Sequence, residues 1–305
     1  PSADLTRENA RLKRQLAAMT MKLRAYEAVP TPRSSSHRST HVVNASTEFT
    51  QRRLAAIGGP AKQVILTFTN EARLDFAATW AAHVRRLGLS NWLIGATDAA
   101  ALNAMLQAGT PTFDMHQALG TSLPTGEWAW GSPQFHSLGP SKVRLIHQTL
   151  SWGFELVITD VDALVLREPF AYMARYPDAG FLTTSDHLTN TTNDGALEDS
   201  RMAQSAYNIG YMFFRPSAMP LTREWLDVLL KDPVGKWDQG EFNRLAMHED
   251  ADFDDKRGLS DKRLFWSWRK KVIGGVLPLT LFCGGHNYFV AQLPQHHGVE
   301  PYSVH

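Results

Sequence analysis

Two carboxylates mark the point of this chain where chemistry is most strongly suggested. The run Leu156-Val157-Ile158-Thr159-Asp160-Val161-Asp162 delivers Asp160 and Asp162 at the end of a short apolar, β-branched stretch. Residues i and i+2 of an extended chain point the same way. Two hard anions on one side repel each other unless a divalent cation lies between them. A hard cation with spare coordination positions suits a diphosphate. An Asp-x-Asp pair alone is common, and a pair of turn or helix-capping aspartates is the alternative reading. Its place at the end of a buried-type strand gives it weight. The sequence holds no Walker loop and no Gly-x-Gly-x-x-Gly after its first strand, so ATPase and dinucleotide-oxidoreductase readings lose their usual support.

The elements that must position this pair alternate strand and helix from residue 63. Val64-Ile65-Leu66-Thr67-Phe68 reads as a buried strand. Asn70 is expected to cap a helix with Leu74, Ala77, Ala78, Ala81 and Val84 on one face. Trp92-Leu93-Ile94-Gly95 is a second strand, and Asp98 caps a helix running to Leu106. Residues 143–152 form a helix and Leu156-Val157-Ile158-Thr159 another strand. Further strands fall at 180–184 and 209–214, and helices at 221–230 and 239–247. This order implies an α/β domain with a mostly parallel, Rossmann-like sheet and right-handed crossovers. Ligands of such sheets bind outside the carboxyl ends of the strands. The loops after Phe68, Gly95 and Thr159 should therefore converge on one crevice.

The 305 residues are 43% hydrophobic, with nine Trp and fifteen Phe, which is ample for a large core and excludes global disorder. A single cysteine, Cys283, excludes an intrachain disulfide framework and a cysteine zinc cage. No run of about 18 apolar residues is present to span a bilayer. The net charge of +1 conceals an asymmetry. Residues 1–62 carry 11 Lys/Arg against 4 Asp/Glu, whereas residues 63–305 carry 20 against 26. A basic arm thus precedes an acidic globule, which argues against a nucleic-acid partner.

Residues 1–28 read as a heptad helix. Leu5, Leu12, Met19 and Tyr26 alternate with Asn9, Leu16 and Leu23 in an a/d seam over residues 5–26, which suits a parallel homodimer; an amphipathic helix lying on its own domain is the alternative. Pro30, Pro32 and Ser34-Ser35-Ser36 mark residues 29–62 as a flexible linker, and residues 63–305 form the globule. Asn44-Ala45-Ser46 and Asn190-Thr191-Thr192 are glycosylation sequons, which lean towards a secretory-pathway protein. The chain opens at Pro1 rather than Met, and the expectation is a stem whose membrane anchor lies upstream.

Several spaced motifs occur together in the globule. These are Trp130-Gly131-Ser132-Pro133 with Phe135-His136, Thr159-Asp160-Val161-Asp162 with Arg167-Glu168-Pro169, and Thr183-Thr184-Ser185-Asp186. They continue with Tyr207-Asn208-Ile209-Gly210, Trp237-Asp238-Gln239 with Phe242-Asn243, Cys283-Gly284-Gly285-His286 with Tyr288-Phe289, and Glu300-Pro301-Tyr302-Ser303-Val304-His305. In this order, from about residue 63 to the end, the sequence resembles the nucleotide-diphospho-sugar transferases of glycosyltransferase family 77. Within it the resemblance is strongest to plant and algal extensin arabinosyltransferases. It implies a GT-A fold, a UDP-sugar donor, Mn²⁺ (or Mg²⁺), retention of anomeric configuration and a Golgi-lumenal type II membrane protein. A hydroxyproline-rich glycoprotein would be the acceptor partner, and L-arabinofuranose the sugar moved. Alternatives are a xylosyl- or galactosyltransferase of the same family, or a non-catalytic sugar- or protein-binding module dimerised by its first helix.

On this resemblance Asp160 and Asp162 hold the metal, completed by His305 or by its rival His286, since imidazole is a competent Mn²⁺ ligand. His305, last in the sequence, looks weakly anchored. Gly284 and Gly285 would turn backbone N–H groups towards the diphosphate. Thr67, Phe68 and Thr69 would meet the uridine. Asp98 would contact base or ribose, or would simply cap its helix. Lys142 would neutralise donor phosphate, or would be a solvated surface lysine. Asp238-Gln239 opens a helix, where Asp caps well, but the resemblance places it near the reacting carbon of the sugar. There it would act by charge or as a nucleophile. Asp186 is a second group for the sugar hydroxyls, Asn208 and Gly210 shape the acceptor side, and Trp128, Trp130 and His136 would form a stacking wall. Asp250, Asp252, Asp254 and Asp261 fall at EF-hand-like spacing, but Asp255 stands where glycine is required, so a solvated acidic loop is the better reading. Deletion of residues 1–28 is expected to convert the dimer to a monomer in light scattering; an unchanged mass would remove the coiled-coil assignment.

Overall fold

The computed structural model describes residues 47–120, 126, 131–202 and 206–305. The heptad helix, the Asn44 sequon, Trp128 and Trp130 lie outside the described residues. The strands among the described residues are β1 Gln63–Thr69, β2 Trp92–Ala96, β3 Thr112–Asp114, β4 Glu155–Thr159, β5 Leu164–Val165, β6 Phe181–Ser185, β7 Tyr207–Phe214, β8 Phe265–Ser267, β9 Val272–Val276, β10 Phe282–Cys283 and β11 Ser303–Val304. Eight of them form one sheet in the order β3-β2-β1-β4-β7-β6-β9-β8. The pairs β1/β2, β1/β4, β2/β3 and β6/β9 are parallel; β4/β7, β6/β7 and β8/β9 are antiparallel. The expected mostly parallel α/β sheet is present, with β7 inserted antiparallel at its centre. A smaller sheet, β10-β11-β5, joins the last two strands to Leu164–Val165, just beyond β4.

Both faces of the large sheet are buried, which explains its near-continuous apolar strands. Val64 and Leu66 of β1 and Leu156 and Ile158 of β4 pack into one cluster, whereas Ile65 and Val157 pack into the other. The first face is covered by the helices Leu138–Ser151 and Met219–Lys231, through residues such as Leu145, Ile146, Trp225 and Leu229. The second is covered by the helix Leu74–Arg86 through Ala77, Trp80, Ala81 and Val84. Trp80 Nε1 donates to Thr159 Oγ1 at 3.0 Å, fixing that helix to the end of β4. The carboxylate pair therefore leaves a strand clamped on both sides.

Three local expectations are corrected. The stretch read as linker contains the helix Gln51–Gly58, capped by Thr50 Oγ1, which accepts from Arg53 N. Phe49 packs at a tilt against Phe113 and Trp152, with ring centroids 4.5 and 5.3 Å away, and Leu54 is fully buried, so residues 47–62 join the globule. Pro and Ser density dominates the reading of residues 29–62, and two apolar anchors override it. Asn70 does not cap through its side chain; its Nδ2 donates to Gly126 O at 2.7 Å. The helix at 239–247 is α-helical over Asp238–Asn243 and then widens to a π turn over Arg244–His248, where Ser267 Oγ donates to Ala246 O at 2.8 Å. Leu54→Ala should lower stability by about 2–5 kcal/mol in urea unfolding; an unchanged midpoint would detach this helix from the folded unit.

Candidate active site

β4 ends against β7, and Asp160 N donates to Gly210 O at 2.8 Å just beyond the paired residues. The helix Leu138–Ser151 runs beneath, carrying Lys142 at a buried position. Lys142 Nζ donates to Asp160 Oδ1 at 2.5 Å and to Ile209 O at 2.9 Å. Neither the free phosphate-neutralising lysine nor the solvated one expected from sequence is found, because this ammonium is committed to the carboxylate. Burial pushes the Asp160 carboxyl up, but Lys142, His305 and the hydrogen bond from Lys142 together hold it below the ordinary carboxylate range. Asp162 is exposed. His305 Nε2 lies 3.8 Å from Asp160 Oδ2 and 3.7 Å from Asp162 Oδ1. One ligand atom from each of the three residues falls within 4.8 Å of the others.

His305 is firmly placed. Its N–H donates to Cys283 O at 2.9 Å and its carbonyl accepts from Gly285 N at 2.6 Å. β11 pairs with β10 and β5. Behind it Tyr302 stacks on Phe282 at 5.2 Å and 6°, with the Arg167 guanidinium 4.0 Å above the Tyr302 ring. The imidazole fills the space that Gly210 leaves: a Cβ there would stand 1.9 Å from His305 Cε1. Two carboxylates and an imidazole seated in a cradle that a side chain would close fit a divalent cation of the Mn²⁺ or Mg²⁺ kind.

Opposite lies a hydrogen-bonded wall. Asp186, beyond the β6 bulge at Thr183/Thr184, accepts from Asn208 Nδ2 at 2.8 Å and from Gln239 Nε2 at 3.1 Å. Asn208 Oδ1 accepts from Gly210 N at 2.7 Å. Asn243 fixes the helix behind by donating to Tyr207 O and Gln239 O and accepting from Tyr207 N. Asp238 sits at the start of that helix, its Oδ1 accepting from Gln239 N at 2.9 Å. Gly139 permits its close approach, since a Cβ there would lie 2.8 Å from Asp238 Cβ. Burial pushes the Asp238 carboxyl above the ordinary range, and Asp160 adds to this against the opposing pull of Lys142. The Asp160–Asp162–His305 group and this hydrogen-bonded wall line one cleft of about 590 Å³.

Residues 87–305 match the family model of nucleotide-diphospho-sugar transferases. The chain belongs to this family. An arabinosyltransferase, XEG113, of Arabidopsis thaliana is 40% identical over 244 residues, which cover 79% of this chain and 36% of that protein. A second, RRA1 of the same plant, is 23% identical over 264 residues, covering 79% and 63%. The chain thus spans about a third of the first relative's length and somewhat under two thirds of the second's. Among solved structures, mouse xyloside xylosyltransferase 1 aligns over 80% of this chain and 97% of that one, at 12% identity and a TM-score of 0.41.

The transferase cleft brings together Phe68, Thr69, Lys142, Asp160, Asp162, Asp186, Asp238, Gln239 and His305. Other expected residues stand elsewhere. Thr67 is fully buried. Asp98 caps its helix, accepting from Ala101 N at 2.7 Å, and also accepts from Glu71 N at 2.9 Å. Gly284, Gly285 and His286 line a smaller adjoining cavity that His305 also lines, and His286 is not one of the clustered ligand groups of Asp160, Asp162 and His305. The Gly285 N–H, expected to face phosphate, is instead the donor that anchors His305. His136 turns its Nδ1 to Val234 O at 3.1 Å. Sequence reasoning missed Arg73 and Thr97 in the cleft, named Phe135 and Trp237 only as parts of motifs without a role, and assigned Asn70 to capping. A glycine inside the apolar strand β7 was the one readable sign of close approach. In the acidic stretch Asp252 pairs with Lys270 and Asp255 with Arg257.

The displaced titration of Asp238 has a testable sign. A carboxyl raised by folding favours the fold when protonated, below its ordinary value of about 3.9, and loses that contribution as pH rises through the raised folded value. Asp238→Asn should therefore be more stable than the parent at pH 7 by roughly 0.5–2 kcal/mol, the gain disappearing below about pH 4. Urea midpoints at both pH values check this, and a destabilised variant at pH 7 would refute the charge argument.

Proposed function

We propose that this chain carries the catalytic domain of a metal-dependent, retaining glycosyltransferase. It moves a pentose, L-arabinofuranose, from a UDP donor to arabinosylated hydroxyproline of extensin-like glycoproteins. The observation that carries this reading is the 40% identity to an arabinosyltransferase over 79% of the chain. The Asp160–Asp162–His305 group, within the residues that match the family model, supports it. In this reading the domain works in the Golgi lumen, tethered by an anchor outside this sequence. No described helix is long and apolar enough to cross a membrane.

Asp160, Asp162 and His305 would hold Mn²⁺ or Mg²⁺. When bound, the cation supplies positive charge against the donor diphosphate. Lys142 keeps Asp160 anionic and fixes its direction from below. Phe68 and Thr69 sit at the end of β1, where they would meet the uridine. Asp186, held by Asn208 and Gln239, keeps oxygen lone pairs for the hydroxyls of the donor sugar. Asp238 stabilises positive charge that develops at the anomeric carbon. The bond from that carbon to the diphosphate oxygen breaks. The acceptor hydroxyl oxygen takes its place on the same face, and its proton passes to the departing diphosphate.

A screen of UDP-L-arabinofuranose, UDP-xylose and UDP-galactose with an arabinosyl-hydroxyproline peptide tests the reading. Transfer should be strongest from the first, stop on chelation, and fall at least about 100-fold in Asp162→Ala. Mn²⁺-dependent transfer that survives Asp162→Ala would show that the site is wrongly assigned, and preference for another sugar would move the donor assignment.

A further inference from the structure

Asp238 is gripped from two helices. The indole of Trp225, fully buried in the helix Met219–Lys231, donates through Nε1 to Asp238 O at 3.0 Å. Against its side chain lies Gly139, in the first turn of the helix Leu138–Ser151. Resting on the transferase reading above, we propose that Trp225 and Gly139 are positioning residues for the transfer step. Trp225 fixes the backbone of Asp238, and the missing side chain at Gly139 sets how far its carboxylate stands from the anomeric carbon.

Space, not conformation, calls for glycine at position 139. Its backbone is not left-handed, so other residues could adopt it, and alanine is the better helix former. The three atoms nearest to a Cβ built there all belong to Asp238: Cβ at 2.8 Å, Cγ at 3.1 Å and Oδ2 at 3.3 Å. These are the root of the side chain as well as its tip, so a change of rotamer does not clear them. A methyl group must therefore displace Asp238 or one of the two helices that grip it. The backbone of Asp238 resists. Besides the bond to Asp238 O, the Trp225 ring packs against Phe242 of the same short helix, with centroids 4.9 Å apart and both side chains fully buried.

The helix Leu138–Ser151 resists as well, because it also carries Lys142. Gly139 and Lys142 are three residues apart, and so are neighbours on one helix face. Lys142 Nζ holds Asp160 Oδ1 at 2.5 Å and Ile209 O at 2.9 Å. One helix thus seats one aspartate in a notch and holds the other by charge, and the spacing between the two carboxylates follows from its geometry. A misplacement of about 1 Å at a reacting centre can cost on the order of 100-fold in rate. A shift of Asp238 alone is felt in the chemical step, while the Asp160–Asp162–His305 group, to which Asp238 does not belong, keeps its shape.

The test makes Gly139→Ala and Trp225→Phe in the whole chain, with and without Asp238→Gly. In the parent chain kcat should fall about tenfold or more for Gly139→Ala and about threefold or more for Trp225→Phe. KM for the UDP donor, and the Mn²⁺ Kd by calorimetry, should stay within about twofold. In the Asp238→Gly background neither substitution should lower the residual kcat further. Gly180→Ala is the structural control. Its Cβ would stand 2.9 Å from Val272 Cγ1, outside the cleft, so it should cost stability and leave kcat as it is. Urea unfolding reads the contact without any activity. Gly139→Ala should lower the midpoint of the parent and raise that of Asp238→Gly, where the crowding is gone and the gain in helix propensity remains. A folded Gly139→Ala chain with the parent's kcat overturns the proposal. So does a kcat loss of equal size in both backgrounds, or a midpoint that moves the same way in both. Should Gly139→Ala not fold, a Trp225→Phe chain with the parent's kcat overturns it. Midpoints that move in opposite directions, in a chain that transfers no sugar from any UDP donor, support the contact and overturn the transferase reading instead.

Discussion

The contact between Lys142 and Asp160 organises this molecule. A buried ammonium without a partner is strongly disfavoured, and so is a carboxylate pair on one strand end. Lys142 answers both problems by reaching from the helix under the sheet to one carboxylate and to the carbonyl of Ile209. That single side chain fixes the helix to β4 and β7 together. It also holds Asp160 ionised, while burial pushes the nearby Asp238 towards protonation against the pull of the same ammonium. Two aspartates that look alike in sequence are thus assigned different behaviour by depth and company.

The wall opposite works differently. Asp186, Asn208, Gln239 and Asn243 form a chain of side-chain hydrogen bonds that ties β6, β7 and the helix Asp238–Asn243 into one rigid surface. Such preorganisation holds oxygen and nitrogen atoms in place before any ligand arrives, which is where polar sites gain selectivity. The bulge at Thr183/Thr184 re-aims the end of β6 towards this wall, in keeping with the frequent place of bulges beside functional sites.

Much of this was legible in sequence where a local pattern dictates the outcome. The strand before Asp160 is apolar on both faces because helices cover both, and a continuous β-branched run signals that. The Asp-x-Asp pair could be placed at a strand end for the same reason. Contacts between distant segments were not legible from periodicity. Nothing near Lys142 announces that its charge meets residues 160 and 209. Phe49 and Leu54 sit among Pro, Ser and charged neighbours whose composition reads as linker, and only the complementary surface of Phe113 and Trp152 reveals them as core. Gly284 and Gly285 suggest a phosphate cradle by type, yet the amide of Gly285 is engaged by the chain's own carbonyl. His305 was found through motif resemblance, and its anchoring came from tertiary strand pairing that no single segment encodes.

That anchoring ties two equilibria together. His305 reaches the aspartates only while β11 is docked between β10 and β5, with its ring seated in the notch at Gly210. By linkage, whatever free energy the docked strand adds to cation affinity, a bound cation must return to the docking of the strand. In the proposed reading, a cation held by Asp160, Asp162 and His305 and the docking of β11 would favour each other, so a substitution at Tyr302 or Arg167 would be felt as a change in cation affinity.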